Sequence, residues 1–180
     1  IPQLTVFAFS TENWQRNAAE IDALMEIIRM YVNELRDTAI LYKIAVRIHA
    51  TQPEPIPASI RLALEQLERE TTTDTTTYDD EAKKLTLNIC LSYGSRSEIV
   101  ATCQTLVAND SAITEDSIDR ALSISAPDVL IRTAGEFRLS NFLLWQVAYS
   151  ELFFQNRRHP ISNHPSGDCR KCEVQHQQLK

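Results

Sequence analysis

"LTLNICLSYGSRSEIVATCQTLVAND", Leu85 to Asp110, is the stretch on which the fold turns. "LTLNICLS" is an apolar run of strand length and reads as a buried strand. It passes through Tyr93, Gly94 and Ser95 into a helical period, where Ser95 and Glu98 have the S-x-x-E spacing of a capping box. A buried strand that feeds a helix through a short polar turn is half of a βαβ unit.

The same alternation extends to both sides. "LTVFAF" (Leu4 to Phe9) is a β-branched and aromatic run, expected of a strand covered on both faces. Ile21, Leu24, Met25, Ile28 and Leu35 then keep a helical spacing, with Asn17 as N-cap and Glu20 as the acid three residues on. Ile27 and Met30 widen that apolar stripe. The reading is a helix buried between the sheet and a neighbour, in preference to a wall shared with an apolar ligand. "KIAVRIHA" (43–50) alternates like a strand, and "TQPEPIP" breaks it. "ASIRLALEQLERE" is a second amphipathic helix opened by Pro57. "TTTDTTTYDD" reads as a mobile polar link, "TEDSIDRALSI" as a short helix capped by Thr114, and "PDVLIR" as the last clear strand. Strand and helix in turn, at this spacing, give an α/β single domain with a mainly parallel β-sheet flanked by helices.

Composition narrows the function. In 180 residues, 43% are hydrophobic and 23% charged, ordinary values for one globular domain. No apolar run approaches the length of a transmembrane helix. The opening "IPQLTVFAFS" reads as the middle of a protein and not as a leader. Five basic and two acidic residues give 155–180 a charge of +3, which leaves −9 on the rest. An acidic body argues against a nucleic-acid surface, so an anionic ligand would be held by a few local arginines. Cys90 and Cys103 sit in apolar patterns and read as buried thiols. His159, His164, Cys169 and Cys172 have a spacing that could wrap zinc, but incidental residues in a poorly ordered tail are the favoured reading.

Polar and cationic residues recur after three strands: "STENWQR" (10–16), "SYGSR" (92–96) and "RTAGEFRLSN" (132–141). In parallel sheets, ligands bind beyond the carboxyl ends of the strands. Arg132, Arg138 and Ser140 offer guanidinium forks and a hydroxyl suited to phosphate oxygens. With three glycines in the chain there is neither a P-loop nor a G-x-G-x-x-G turn. His49 is the one histidine ahead of the tail, so no Ser/His/Asp set is credible. A diphosphate held by side chains is what remains.

At these residues the sequence resembles the cis-prenyltransferases, the family of undecaprenyl and dehydrodolichyl diphosphate synthases. "FSTENWQR" (9–16), "YGSRSEIV" (93–100) and "PDVLIRTAGEFRLSNFLLWQVAYSELFF" (127–154) carry the resemblance. It implies a homodimeric or heterodimeric α/β enzyme that joins isopentenyl diphosphate to an allylic diphosphate such as farnesyl diphosphate, with Mg2+ and cis geometry. By the same resemblance, Arg132, Arg138 and Ser140 bind the isopentenyl diphosphate, and Glu151 helps to hold magnesium. Asn13 and Arg16 lie at the chemistry; Ser10, Trp14 and Glu20 lie beside the substrate. The long helix would line a tunnel for the growing chain, which favours a ligand-facing role for Ile27 and Met30. A long polyprenyl product implies transient membrane association, cytoplasmic or at the endoplasmic reticulum or plastid, and no nucleic acid.

The pattern is departed from in places. The family's opening strand and D-G-N-G-R-W-like loop, whose aspartate carries magnesium, have no counterpart in these residues. An open sheet edge and low stability are the expectation. Ala134 and Phe137 stand where glycine and a polar residue are usual; Ser92, Ser95 and Asn17 stand for Asn, Gly and Pro. Residues 1–154 are therefore read as a cis-prenyltransferase-like domain and 155–180 as an atypical tail. The alternatives are a catalytically incomplete fragment, a non-catalytic partner of a heteromeric enzyme, or a zinc-bound interaction module in the tail.

Overall fold

The computed structural model describes residues 1–72, 85–133 and 135–155. The threonine link, Ala134 and the Cys/His tail lie outside the described residues. The strands are β1 (Gln3–Ser10), β2 (Ile44–His49), β3 (Leu85–Tyr93), β4 (Val129–Arg132) and β5 (Glu151–Phe154). The helices are α1 (Ala18–Leu41), α2 (Ala58–Thr72), α3 (Ser95–Ala108) and α4 (Glu115–Ala121). Two compact units result, 1–123 and 124 onward. Every strand pairing in them is parallel, as the α/β reading expects.

In the first unit β3 is central, with strand order β1-β3-β2. Cys90, Leu91, Ser92 and Tyr93 are fully or almost fully buried there. A strand paired on both edges can bury its end only if it is apolar on both faces, and "NICLSY" nearly is. β1 is different: Leu4 and Val6 are exposed although Phe9 is buried. Burial on both faces is thus a property of the central strand and not of β1. α1 and α2 pack Met25, Val32, Ala39, Ile60, Leu64 and Leu67 against Val46 and Leu91. Ile27 and Met30 are exposed, so α1 is not buried all round. Cys103 is half-buried, not buried like Cys90.

The caps follow the sequence in part. Asn17 accepts a hydrogen bond from the Glu20 backbone N–H at 2.9 Å, and Thr114 caps α4 in a reciprocal box with Ser117. Ser95 does not cap α3; Gly94 does, and Ser95 is the first helical residue. Glu98 is consequently one position too deep for a box, and its carboxylate turns into the interior. In the second unit β4 pairs with β5, Val129 opposite Glu151. "ELFF" is a further strand beyond "PDVLIR". Four residues inside a longer polar and aromatic stretch give no period of their own.

β2 is an edge strand whose inner N–H groups need partners. The Val46 N–H donates to Thr71 Oγ1 at 3.1 Å, and that hydroxyl donates to Leu67 O at 2.8 Å. Helix α2 thus satisfies a buried strand amide through one side chain. Thr71→Val, nearly isosteric, leaves the amide without its acceptor and should cost about 1–3 kcal/mol. Urea denaturation of the two proteins checks this, with a lower midpoint at an unchanged m-value expected.

Candidate diphosphate site

In the first unit the candidate residues follow β1. A 3-10 turn, Thr11–Gln15, is held at its start by Asn13, whose Oδ1 accepts from Ser10 N at 2.8 Å and from Ser10 Oγ at 3.0 Å. Trp14 lies edge-on to Phe9, with ring centroids 4.7 Å apart, and its Nε1–H donates to Ser92 Oγ at 2.8 Å. Arg16 forms an ion pair with Glu20 one helical turn on. Ser10 with Asn13, Trp14 with Ser92, and Arg16 with Glu20 are thus three local contacts that follow one another along the chain at the carboxyl end of β1. β1 and β3 are parallel, so the passage from β3 into α3 at Gly94 lies at the same edge, as expected.

In the second unit the candidates follow β4. The Arg132 guanidinium donates to Ser140 Oγ at 2.9 Å and to the carbonyl oxygen of Arg138. Arg138 pairs its own guanidinium with Glu136 at 2.9 Å, both groups well exposed. Arg132 thus gathers the loop, while the Arg138 fork is turned to a neighbouring carboxylate. Gly135, Ser140, Asn141 and Leu143 all have positive φ, between 48° and 71°. Only glycine takes such values freely, and strained backbone of this kind concentrates at ligand clamps. Glu151 begins β5 with its side chain exposed and its N–H bonded to Asp128 O at 2.9 Å. Phe137 is exposed and leans on Phe154, centroids 5.7 Å apart.

A buried polar cluster went unread in the sequence. Tyr93 OH donates to Glu98 Oε2 at 2.5 Å, and Ser123 Oγ donates to Glu98 Oε1 at 2.5 Å. These residues, with His49, Thr51 and Thr102, line a cavity of about 330 Å³. None of the nine candidate residues lines it. Ser95, Glu98 and Thr102 share one face of α3 with Leu106, so a polar stripe at helical spacing was the available signal, but the capping spacing accounted for Ser95 and Glu98. Among the described residues no group of three or more His, Cys, Asp or Glu could hold a metal.

Burial first, and then the charge of Glu98, pushes the Cys90 thiol from its ordinary 9.0 up to about 12. Burial first, and then the hydrogen bond to Glu98, raises the Tyr93 phenol as well. Both groups ionise more easily in the unfolded chain. The Cys90 contribution to stability is therefore complete below pH 9 and is lost as pH climbs through 12, and Tyr93 adds a loss in the same alkaline direction. Urea midpoints should fall steadily from pH 9 to 11.5, and more shallowly in Cys90→Ala. Midpoints that stay level over that window would contradict the burial assigned to the cluster.

A family model described as "Putative undecaprenyl diphosphate synthase" matches residues 1–165. The isoprenyl transferase of Fusobacterium nucleatum is 38% identical over 156 residues, which are 85% of this chain and 64% of that protein. A tritrans,polycis-undecaprenyl-diphosphate synthase (geranylgeranyl-diphosphate specific) of Pyrococcus abyssi is 38% identical over 162 residues, 84% of this chain and 58% of that protein. The chain thus spans about three fifths of the length of these two relatives. Among solved structures, a "probable undecaprenyl diphosphate synthase" from Campylobacter jejuni superposes with a TM-score of 0.77 at 28% identity, covering 86% of this chain and 70% of that one. Lavandulyl diphosphate synthase from Lavandula x intermedia, in complex with dimethylallyl diphosphate, gives 0.76 at 26%, covering 87% and 69%.

Proposed function

Because the chain belongs to the undecaprenyl diphosphate synthase family of prenyltransferases, we propose that the protein condenses isopentenyl diphosphate with an allylic diphosphate such as farnesyl diphosphate, giving a cis-polyprenyl diphosphate. The observation that carries this is the match along residues 1–165, which includes every candidate residue.

Ionisation of an allylic diphosphate puts negative charge on the leaving group and positive charge on the allyl carbons. Donors fixed in advance stabilise the first, and a dry apolar wall keeps water from the second. Arg132, Arg138 and Ser140 are the residues proposed to hold the isopentenyl diphosphate. The Arg132–Ser140 contact supports this, since it sets a fork and a hydroxyl side by side before any ligand arrives. The exposed pair between Arg138 and Glu136 is worth only about 0–1 kcal/mol, so Arg138 can exchange a carboxylate for a phosphate at little cost. Asn13 and Arg16 are proposed to act at the reacting centre, with Ser10, Trp14 and Glu20 beside the substrate. The edge-on Phe9–Trp14 pair supplies an apolar wall for the turn.

Magnesium, when bound, would neutralise diphosphate charge, and Glu151 is the carboxylate proposed to hold it. The fit is chemical: Mg2+ takes one or two carboxylates with substrate phosphates and needs no cage of protein ligands. Assembly as a homodimer or heterodimer, and transient contact with a bilayer through the polyprenyl product, belong to the same proposal. No described helix is long and apolar enough to cross a membrane.

The test is incorporation of radiolabelled isopentenyl diphosphate with farnesyl diphosphate and Mg2+. Arg138→Ala should lower kcat/KM by about 10²–10³-fold, the usual scale for removing one charged donor. Chelation of the metal should abolish turnover. No incorporation by the wild-type chain would overturn the proposal for this polypeptide.

A further inference from the structure

One side chain ties together the carboxyl ends of all three strands in the first unit. The pairing of β1 with β3 slips near its end: Phe9 faces Leu91 and Ser10 faces Tyr93, so Ser92 has no partner on β1. Ser92 is the extra residue of a bulge, with φ 52° and full burial. A bulge re-aims a side chain, and a serine held at positive φ in the interior is conformationally costly. What the hydroxyl does there is specific. It accepts from Trp14 Nε1 at 2.8 Å and donates to Gln52 O at 2.5 Å. The Ser92 carbonyl accepts from Thr51 N at 3.1 Å and from Gln52 N at 3.2 Å. Thr51 Oγ1 closes the ring by accepting from Gly94 N at 3.0 Å. The segment after β2 and the turn after β1 are thus both fastened to the bulge in β3.

We propose that Ser92 is a positioning residue: its hydroxyl fixes the Trp14 indole and, through it, the turn that carries Asn13 and Arg16. The Trp14 ring also packs on Phe9 and the core, but that contact is apolar and does not fix the indole N–H. The side-chain bonds of Asn13 and Arg16 do not reach the sheet interior. Asn13 bonds to Ser10 at the turn's own start, and Arg16 pairs forward with exposed Glu20, so both contacts are local in sequence. The bond from Trp14 to Ser92 spans 78 residues and relates the turn to the sheet. Small displacements of reacting groups cost rate steeply, so an anchor of this kind acts on turnover more than on substrate binding. The inference rests on the prenyl-transfer reading for its kinetic consequence, but the anchoring itself is measurable without it.

Three substitutions separate the anchor from the fold in the full 180-residue chain. Ser92→Gly removes the hydroxyl while suiting the positive φ, so the protein should stay folded. Ser92→Ala removes the hydroxyl and keeps the backbone cost. Ser92→Asn tolerates positive φ and restores both an acceptor and a donor. Trp14 Nε1–H exchange is followed in 1H–15N spectra, the signal being assigned by its loss in Trp14→Phe. Exchange should be about tenfold faster in Ser92→Gly and Ser92→Ala and near wild type in Ser92→Asn. In the isopentenyl incorporation assay, kcat of Ser92→Gly should fall by about 10²-fold with KM for isopentenyl diphosphate unchanged, and Ser92→Asn should restore it. Unchanged indole exchange in Ser92→Gly, or wild-type kcat well below its Tm, overturns the proposal. If the wild-type chain shows no turnover, the reaction proposed above fails, and the exchange rates of Ser92→Gly and Ser92→Asn decide the anchoring by themselves.

Discussion

Parallel pairing of β3, whose last four residues are buried, with β1 and β2 fixes the arrangement of the first unit. Parallel strands end on the same edge, so whatever polar chemistry their loops carry is gathered there without a dedicated device. The apolar faces of α1 and α2 pack against β2 and β3. Polar groups that do enter this interior are paired: Thr71 serves the β2 amide, Tyr93 and Ser123 serve Glu98, and Ser92 serves Trp14. A buried polar group without a partner is costly, and these bonds are what let polar side chains sit in this interior.

In the second unit the controlling feature is the backbone between β4 and β5. Gly135, Ser140, Asn141 and Leu143 have positive φ there, and Arg132 bonds across the loop to Ser140 and to the Arg138 carbonyl. That loop carries its own strain and has mostly exposed charges. Such an arrangement contributes little to stability and is consistent with a clamp awaiting an anion.

Much of this was legible in the residues. The strand at Leu85 to Tyr93 and the helices begun by Asn17 and Thr114 follow directly from apolar period and cap chemistry. The grouping of Ser10, Asn13, Trp14, Arg16 and Glu20 after β1, and of Arg132, Arg138 and Ser140 after β4, was also visible, because polar residues follow each apolar strand run directly; that β1 and β4 belong to separate sheets was not. What the residues did not reveal depends on register. The spacing makes Glu98 a cap, but Gly94, not Ser95, is the N-cap of α3, a shift of one position that sends a carboxylate inward. Ser92 looked like a small substitution; its part emerges only from a bulge that no period encodes. The exposure of Leu4, Val6, Ile27 and Met30 could not be read either, since an apolar pattern states what can be buried and not what covers it.

The most direct test of the central claim is a calorimetric titration of isopentenyl diphosphate into the protein with Mg2+, comparing wild type, Arg132→Lys and Arg132→Ala. If Arg132 holds the diphosphate as proposed, its fork set against the Ser140 hydroxyl would recognise phosphate by shape as well as charge. Saturable binding by the wild type is predicted, with Kd raised by about tenfold or more in Arg132→Lys, although the charge is kept, and further in Arg132→Ala. Equal affinity in all three proteins would contradict it.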